Sequence, residues 1–177
     1  MKKPSIKTLK ELKNSEYKSQ TIKDELCKNL SILLKSGKPS FTGIHGYEST
    51  VIPDLERAIL SKHNINFLGL RGQAKTRLAR KMIDLLNEWI PFIKGSEIND
   101  DPLSPISNYG KKIIEDKGDK TEIDWLHNSE RFYEKLATPD VTVSDLIGDI
   151  DPIKAASLKL SYSDERVIHF GMIPRAN

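Results

Sequence analysis

Between Thr21 and Ser36 the apolar positions Ile22, Leu26, Leu30, Leu33 and Leu34 fall three and four residues apart. On a 3.6-residue repeat they form one stripe, so the spacing predicts a helix over 20–36. Gly37 stands where such a helix stops, and Pro39 follows it. The stretch 5–18 before it is polar and predicts a frayed helix or an arm. A second stripe, Val51, Ile52, Leu55, Ala58 and Ile59, predicts a helix from residue 48 or 49 to Lys62, with Pro53 in its tolerant first turn. The two-glycine loop 40–47 separates the two stripes.

After the break His63–Asn64 comes the short apolar run Ile65–Leu68, which at this length reads as a buried strand. Gly69–Ala74 is then a loop. Leu78, Ala79, Met82, Ile83, Leu85 and Leu86 predict a helix from Lys75 to about Trp89, ended by Pro91. Residues 92–120 hold Pro102, Pro105 and many Asp and Asn, and predict loop with short elements. Residues 122–137 predict a helix stopped by Thr138-Pro139. Within 140–163, Ile153–Leu158 predicts a short helix, Val167–Phe170 a strand, and Pro174–Asn177 a polar turn. No internal repeat or low-complexity segment is seen.

The longest apolar runs are only a few residues, far below the roughly 20 that a membrane span needs. The amino terminus is basic but has no apolar signal stretch. One cysteine, Cys27, excludes an intrachain disulfide framework and a cysteine-based zinc site, and predicts a reducing, cytoplasmic setting. Next to the first stripe, Cys27 reads as a small packing residue. The 177 residues suit one ordinary domain with a short appendage. Residues 1–38 carry ten Lys against four Asp or Glu, a balance of +6, whereas the rest balances at −3. The boundaries follow: 1–38 is a basic helical appendage and 39–177 the main domain. The basic front is either a solvated helical surface or an arm for nucleic acid or anionic lipid.

The stretch with chemistry is the predicted strand, then Gly69, Leu70, Arg71, Gly72, Gln73, Ala74, Lys75 and Thr76, then the predicted helix. This approximates the phosphate-loop pattern of a glycine loop closed by Gly-Lys-Ser/Thr, with Ala74 in place of the second glycine. A loop with few side chains lets backbone N–H groups converge on phosphate, and the helix start points its N–H groups at the same anion. Lys75 adds a charge near the terminal phosphates, and Thr76 offers a hydroxyl to a nucleotide-bound Mg²⁺. The alternative is a plain glycine turn. Ala74 is strained if its position needs a positive φ.

With Phe41–Leu60 (FTGIHGYESTVIPDLERAIL) and INFLGLRGQAKTRLAR, the chain resembles the AAA+ ATPases of the magnesium chelatase ATPase-subunit and MoxR group. Members often carry Ala-Lys-Thr here. The later segments IKGSEINDDPLSP (93–105) and 138–177 are similar to the same group, so the resemblance covers about 40–177. It implies an α/β fold, the three-layer sandwich of a phosphate-loop NTPase of AAA+ type, incomplete here, with a small helical amino-terminal segment. It implies a nucleotide-binding, Mg²⁺-dependent ATPase, a hydrolase whose Walker A loop binds ATP. It implies a cytoplasmic homo-oligomeric ring, such as a hexamer, that remodels or loads a partner protein as in metal chelation, with nucleic acid not expected as a partner. It places the adenine beside Tyr47, Val51 and Ile52, although Val51 and Ile52 also fit a buried helix face.

In that group an acidic strand follows the Ala-Asn turn, where this sequence stops at Ala176-Asn177. The expectation is therefore an amino-terminal fragment ending before the Walker B strand, with no catalytic residue of its own and inactive alone. Leu146–Asp149 makes a poor substitute strand, and Asp149 and Asp151 read as loop or cap residues. The four histidines are scattered without metal spacing. Asn99–Pro102 is either a cation site or an Asx turn. Arg71 reads as a solvated loop residue or a phosphate or subunit contact, and Trp89 and Trp125 as core or interface anchors. Two other readings are a non-enzymatic binding module using the basic arm, and a sigma-54-type activator, whose Gly-Ala-Phe-Thr-Gly-Ala loop is absent.

Overall fold

The computed structural model describes residues 3–177. Contacts divide the chain into two compact units, Gln20–Glu88 and the chain front to Ser19 joined with Trp89–Asn177. The packing thus cuts at 19/20 and 88/89, whereas the sequence reading places its boundary after residue 38.

In the unit Gln20–Glu88, α2 runs Ile22–Lys35, after a short first helix α1, Leu9–Lys13, that belongs to the other unit. Thr21 caps α2 by accepting the N–H of Asp24. Gly37, at φ +69°, ends it by donating to Leu34. Helix α3, Val51–Leu60, and α4, Lys75–Lys81, follow, and α4 continues into a 3-10 turn, Met82–Leu85. The helix expected to reach Trp89 therefore ends early. The buried stripe of α2 and α3 meets Phe41, Ile44, Leu78 and Leu85 in one apolar cluster containing Leu30, Ile52, Leu55 and Ile59.

The expected strand Ile65–Leu68 is not one. Ile65 and Phe67 pack on the cluster while Asn66 and Leu68 face out, a strand-like alternation of period two. No neighbouring segment pairs with it among the described residues, and Leu68 is 87% exposed.

The other unit is built on an antiparallel pair, β1 (Trp89–Ile93) and β2 (Ile123–His127), with Pro91 opposite Trp125. Both segments lie inside stretches expected to be helical, or to end a helix at Pro91. A proline is tolerated here because Ile93, of the same parity, turns its N–H away from β2 to the carbonyl of Asp100, while Lys94 donates across the pair to Glu122. The open edge of β2 takes the chain front. Ile123 donates to Lys7, Leu9 donates to Thr121, and Thr8 bridges Glu122. Leu9 and Leu12 of α1 are buried against Ile123, and the Trp125 indole N–H donates to the carbonyl of Ile6 at 2.8 Å. The segment expected to be a frayed arm is thus part of a sheet edge and a core.

Helix α5, Asn108–Lys117, connects the two strands and is capped by Ser107, which accepts the N–H of Gly110. The remaining elements are α6 (Val143–Leu146), β3 (Gly148–Ile150), α7 (Pro152–Leu158), β4 (Ile168–Phe170) and a last turn α8 (Met172–Arg175). β3 pairs antiparallel with β4. Asp151 caps α7 as expected, accepting from Ile153 and Lys154. Asp149 instead lies in β3, contrary to the loop reading, with its carboxylate on Ser144 and on the N–H of Ile150.

Gly148 is at φ +119°, and a Cβ there would sit 2.4 Å from the carbonyl oxygen of His169. Gly148→Ala is therefore expected to cost about 1–3 kcal/mol from backbone conformation alone, with more from the clash. A urea titration measures it, and an unchanged midpoint would count against this account of the hairpin.

The two sheets are each two antiparallel strands. The described residues contain no parallel sheet covered by helices on both faces, so the three-layer arrangement implied by the resemblance is not among them.

Candidate functional site

The loop Gly69–Ala74 enters α4 in the unit Gln20–Glu88. Three of its residues have positive φ: Gly69 at 155°, Gly72 at 82° and Ala74 at 54°. Ala74 is the N-cap of α4 in the left-handed region, so the strain foreseen for an alanine here is present. It costs about 1–2 kcal/mol relative to an unstrained residue. Left-handed residues are what anion-binding loops use to turn neighbouring N–H groups toward one side.

Lys75 opens α4 and its side chain folds back over the loop. Its Nζ donates to the carbonyl of Gly69 at 2.9 Å and also to that of Leu70. Gln73 reaches the same peptide from the other side, its Oε1 accepting the N–H of Leu70 at 2.8 Å. Thr76 is exposed, and no hydrogen bond to its hydroxyl is found among the described residues. As first residues of a helix, Lys75 and Thr76 have N–H groups with no intrahelical acceptor.

The electrostatics are one-sided. Arg71, Lys75 and Arg77 form no ion pair among the described residues. Arg77 lies along the 40–47 loop, where a Cβ on Gly43 would be 3.6 Å from its guanidinium. Three cations within seven residues, without a carboxylate partner, leave a positive field at the loop.

The structure brings Tyr47 to this loop, its hydroxyl donating to the carbonyl of Gln73 at 3.5 Å. Ile52 is buried inside the apolar cluster, and Val51 packs partly buried against it with Tyr47. The buried-face reading therefore accounts for Ile52, and among the described residues Tyr47 is the one of the three hydrogen-bonded to the loop Gly69–Ala74. Beside Tyr47, the N–H groups of Glu48 and Gly46 hold the Glu48 carboxyl below its ordinary pKa, against a smaller opposing effect of desolvation, and His45 lies 3.7 Å from it.

The other candidates resolve into structure. Asp100 is 3% exposed and accepts from Ser96, Ile106 and Ser107, while Asp101 accepts the N–H of Leu103 in an Asx turn. The cation reading of 99–102 finds no support, because no group of three or more His, Cys, Asp or Glu that could hold a metal occurs among the described residues. His127 caps the turn 128–130 and meets Trp89 edge-on at 4.9 Å. Trp89 and Trp125 are inside the unit built on β1 and β2. Cys27 is half-buried, with its sulfur 3.5 Å from the carbonyl of Leu60. The side-chain roles of Gln73 and Arg77 were not visible in the sequence. Their only signal was two polar residues, one in the glycine loop and one in the first turns of α4.

Among the described residues no helix is long and apolar enough to cross a membrane. Compared with known proteins, the chain matches no family model, no curated protein and no solved structure.

Proposed function

We propose that Gly69–Thr76 binds the phosphates of ATP with Mg²⁺, and that the chain is the nucleotide-binding part of an AAA+ ATPase of the magnesium chelatase and MoxR type. The observation that carries this reading is the fold-back of Lys75 over a positive-φ loop, with Arg71, Lys75 and Arg77 in no ion pair among the described residues. The residues fit the ligand. Lys75 and Arg71 supply charge, the loop and helix-start N–H groups supply donors, and the unengaged Thr76 hydroxyl suits a hard cation that prefers oxygen. When bound, Mg²⁺ neutralises phosphate charge. The chain's own part is to hold the phosphates and to keep Tyr47 beside them. On this reading the ATPase works as a ring that remodels or loads a partner protein, and ATP hydrolysis drives it.

Lys75→Ala is expected to weaken ATP binding by about 1.5–3 kcal/mol, the contribution of one charge-assisted contact. Titration of the full chain with a fluorescent ATP analogue and Mg²⁺ measures it. Equal affinities would end the assignment.

The rival reading, a module whose basic front grips nucleic acid, is disfavoured by one observation. Lys3 and Lys13 are ion-paired with Asp124 and Asp119, at 2.5 and 2.7 Å. Those lysines face carboxylates of their own unit, so the +6 of the sequence overstates the charge left for a polyanion.

A further inference from the structure

Gln73 sits where the phosphate loop is crossed. Its amide oxygen accepts the N–H of Leu70, its backbone carbonyl accepts from Tyr47, and the residue after it is the strained Ala74. The far side of the same Gly69–Leu70 stretch is held by Lys75. A Cβ on Gly69 would lie 2.2 Å from the Gln73 oxygen and 4.0 Å from the Lys75 nitrogen, so the two side chains converge on the one residue that leaves room for them.

We infer, resting on the nucleotide reading above, that Gln73 is a positioning residue for the bound phosphates: it braces the loop through Leu70 and ties it to the Tyr47 loop. Physical reasons support a brace. A glycine-rich loop loses much conformational freedom when it orders around a ligand. A loop already held in its binding shape avoids that cost at the moment of binding. Ala74 works in the opposite direction, since its left-handed conformation is unfavourable for any residue with a Cβ. The bond from Leu70 to Gln73 offsets that strain. Gln73 and Ala74 are therefore coupled, and relieving the strain at one should compensate for losing the brace at the other. An amide suits the role because it accepts from Leu70 without adding a negative charge beside phosphate.

The test uses the full chain with Gln73→Ala, Gln73→Glu, Ala74→Gly and the double change Gln73→Ala/Ala74→Gly. Affinity for a fluorescent ATP analogue with Mg²⁺ is measured alongside hydrogen exchange of the Leu70 amide in ligand-free protein. Gln73→Ala should weaken binding about fivefold, the value of one net hydrogen bond, and speed Leu70 exchange. Ala74→Gly added to it should restore most of the affinity. Gln73→Glu keeps the acceptor, so Leu70 should stay protected while ATP binding falls through like-charge repulsion. The inference is overturned if Gln73→Ala binds as tightly as the wild type, or if the double change shows no rescue. A wild type that does not bind the analogue at all defeats the nucleotide reading and this inference with it. That result is distinct from one in which the wild type binds and Gln73 does not matter.

Discussion

A chain shortened to begin at Ser40 is expected not to reach a cooperative folded state. The cut removes Leu9 and Leu12 from the cluster with Ile123, and Leu30 from the cluster around α3. It also removes the acceptor of Ile123 at Lys7, the donor to Thr121 at Leu9 and the Ile6 carbonyl that holds the Trp125 indole. Glu25, buried and accepting the N–H of Asn87 at 2.6 Å, is lost as well. Truncating a single buried leucine to alanine costs about 2–5 kcal/mol. Three such losses exceed much of the roughly 5–15 kcal/mol that stabilises a typical domain. Thermal unfolding followed by circular dichroism checks it. A sharp transition at the full-length temperature would show that the front is an appendage after all.

Asp100→Ala is expected to cost about 3 kcal/mol or more in the unit built on β1 and β2. The carboxylate accepts from Ile106 at 2.7 Å, from Ser107 at 2.9 Å and from the Ser96 hydroxyl at 2.7 Å, and the Ser107 hydroxyl also donates to it. Each buried donor left without an acceptor costs about 1–3 kcal/mol. The same group gives the unit an acid dependence. Burial by itself would raise the Asp100 pKa, but the bonds from Ser107, Ser96 and Ile106 together outweigh it and hold the carboxyl below its ordinary range. A carboxyl with a depressed folded pKa contributes its stability above the unfolded value, about 3.9. That stability is lost as pH falls through the folded value. Urea midpoints of the wild type should therefore drop as pH falls from 5 to 3, and Asp100→Asn should flatten part of that slope. Identical pH profiles for the two proteins would refute the role given to this carboxylate.

Helices α2 and α3 were legible because their signals are local. A stripe of period 3.6 and, for α2, Gly37 after it lie within or beside the segment that folds. The place of the glycine loop before α4 was legible for the same reason: Gly69, Gly72, Lys75 and Thr76 are neighbours in sequence. The strands were not. Trp89–Ile93 follows an amphipathic helix and contains a proline, and it becomes a strand only because Ile123–His127 lies beside it. Ile65–Leu68 is the converse case, with the period of a strand and no partner to pair with.

By itself, then, the sequence determined the two striped helices, the glycine loop with its lysine and threonine, the strain to be expected at Ala74, and the want of any apolar run long enough to span a membrane. Tertiary structure alone decided which short apolar segments pair and where the front residues pack. It also decided that Asp100 anchors a turn and that Gln73 and Tyr47 meet at the loop. The physical reason is range. Helix periodicity and caps act within a few residues, whereas a strand, a buried carboxylate or a side-chain brace is defined by groups that only the folded chain brings within hydrogen-bond distance.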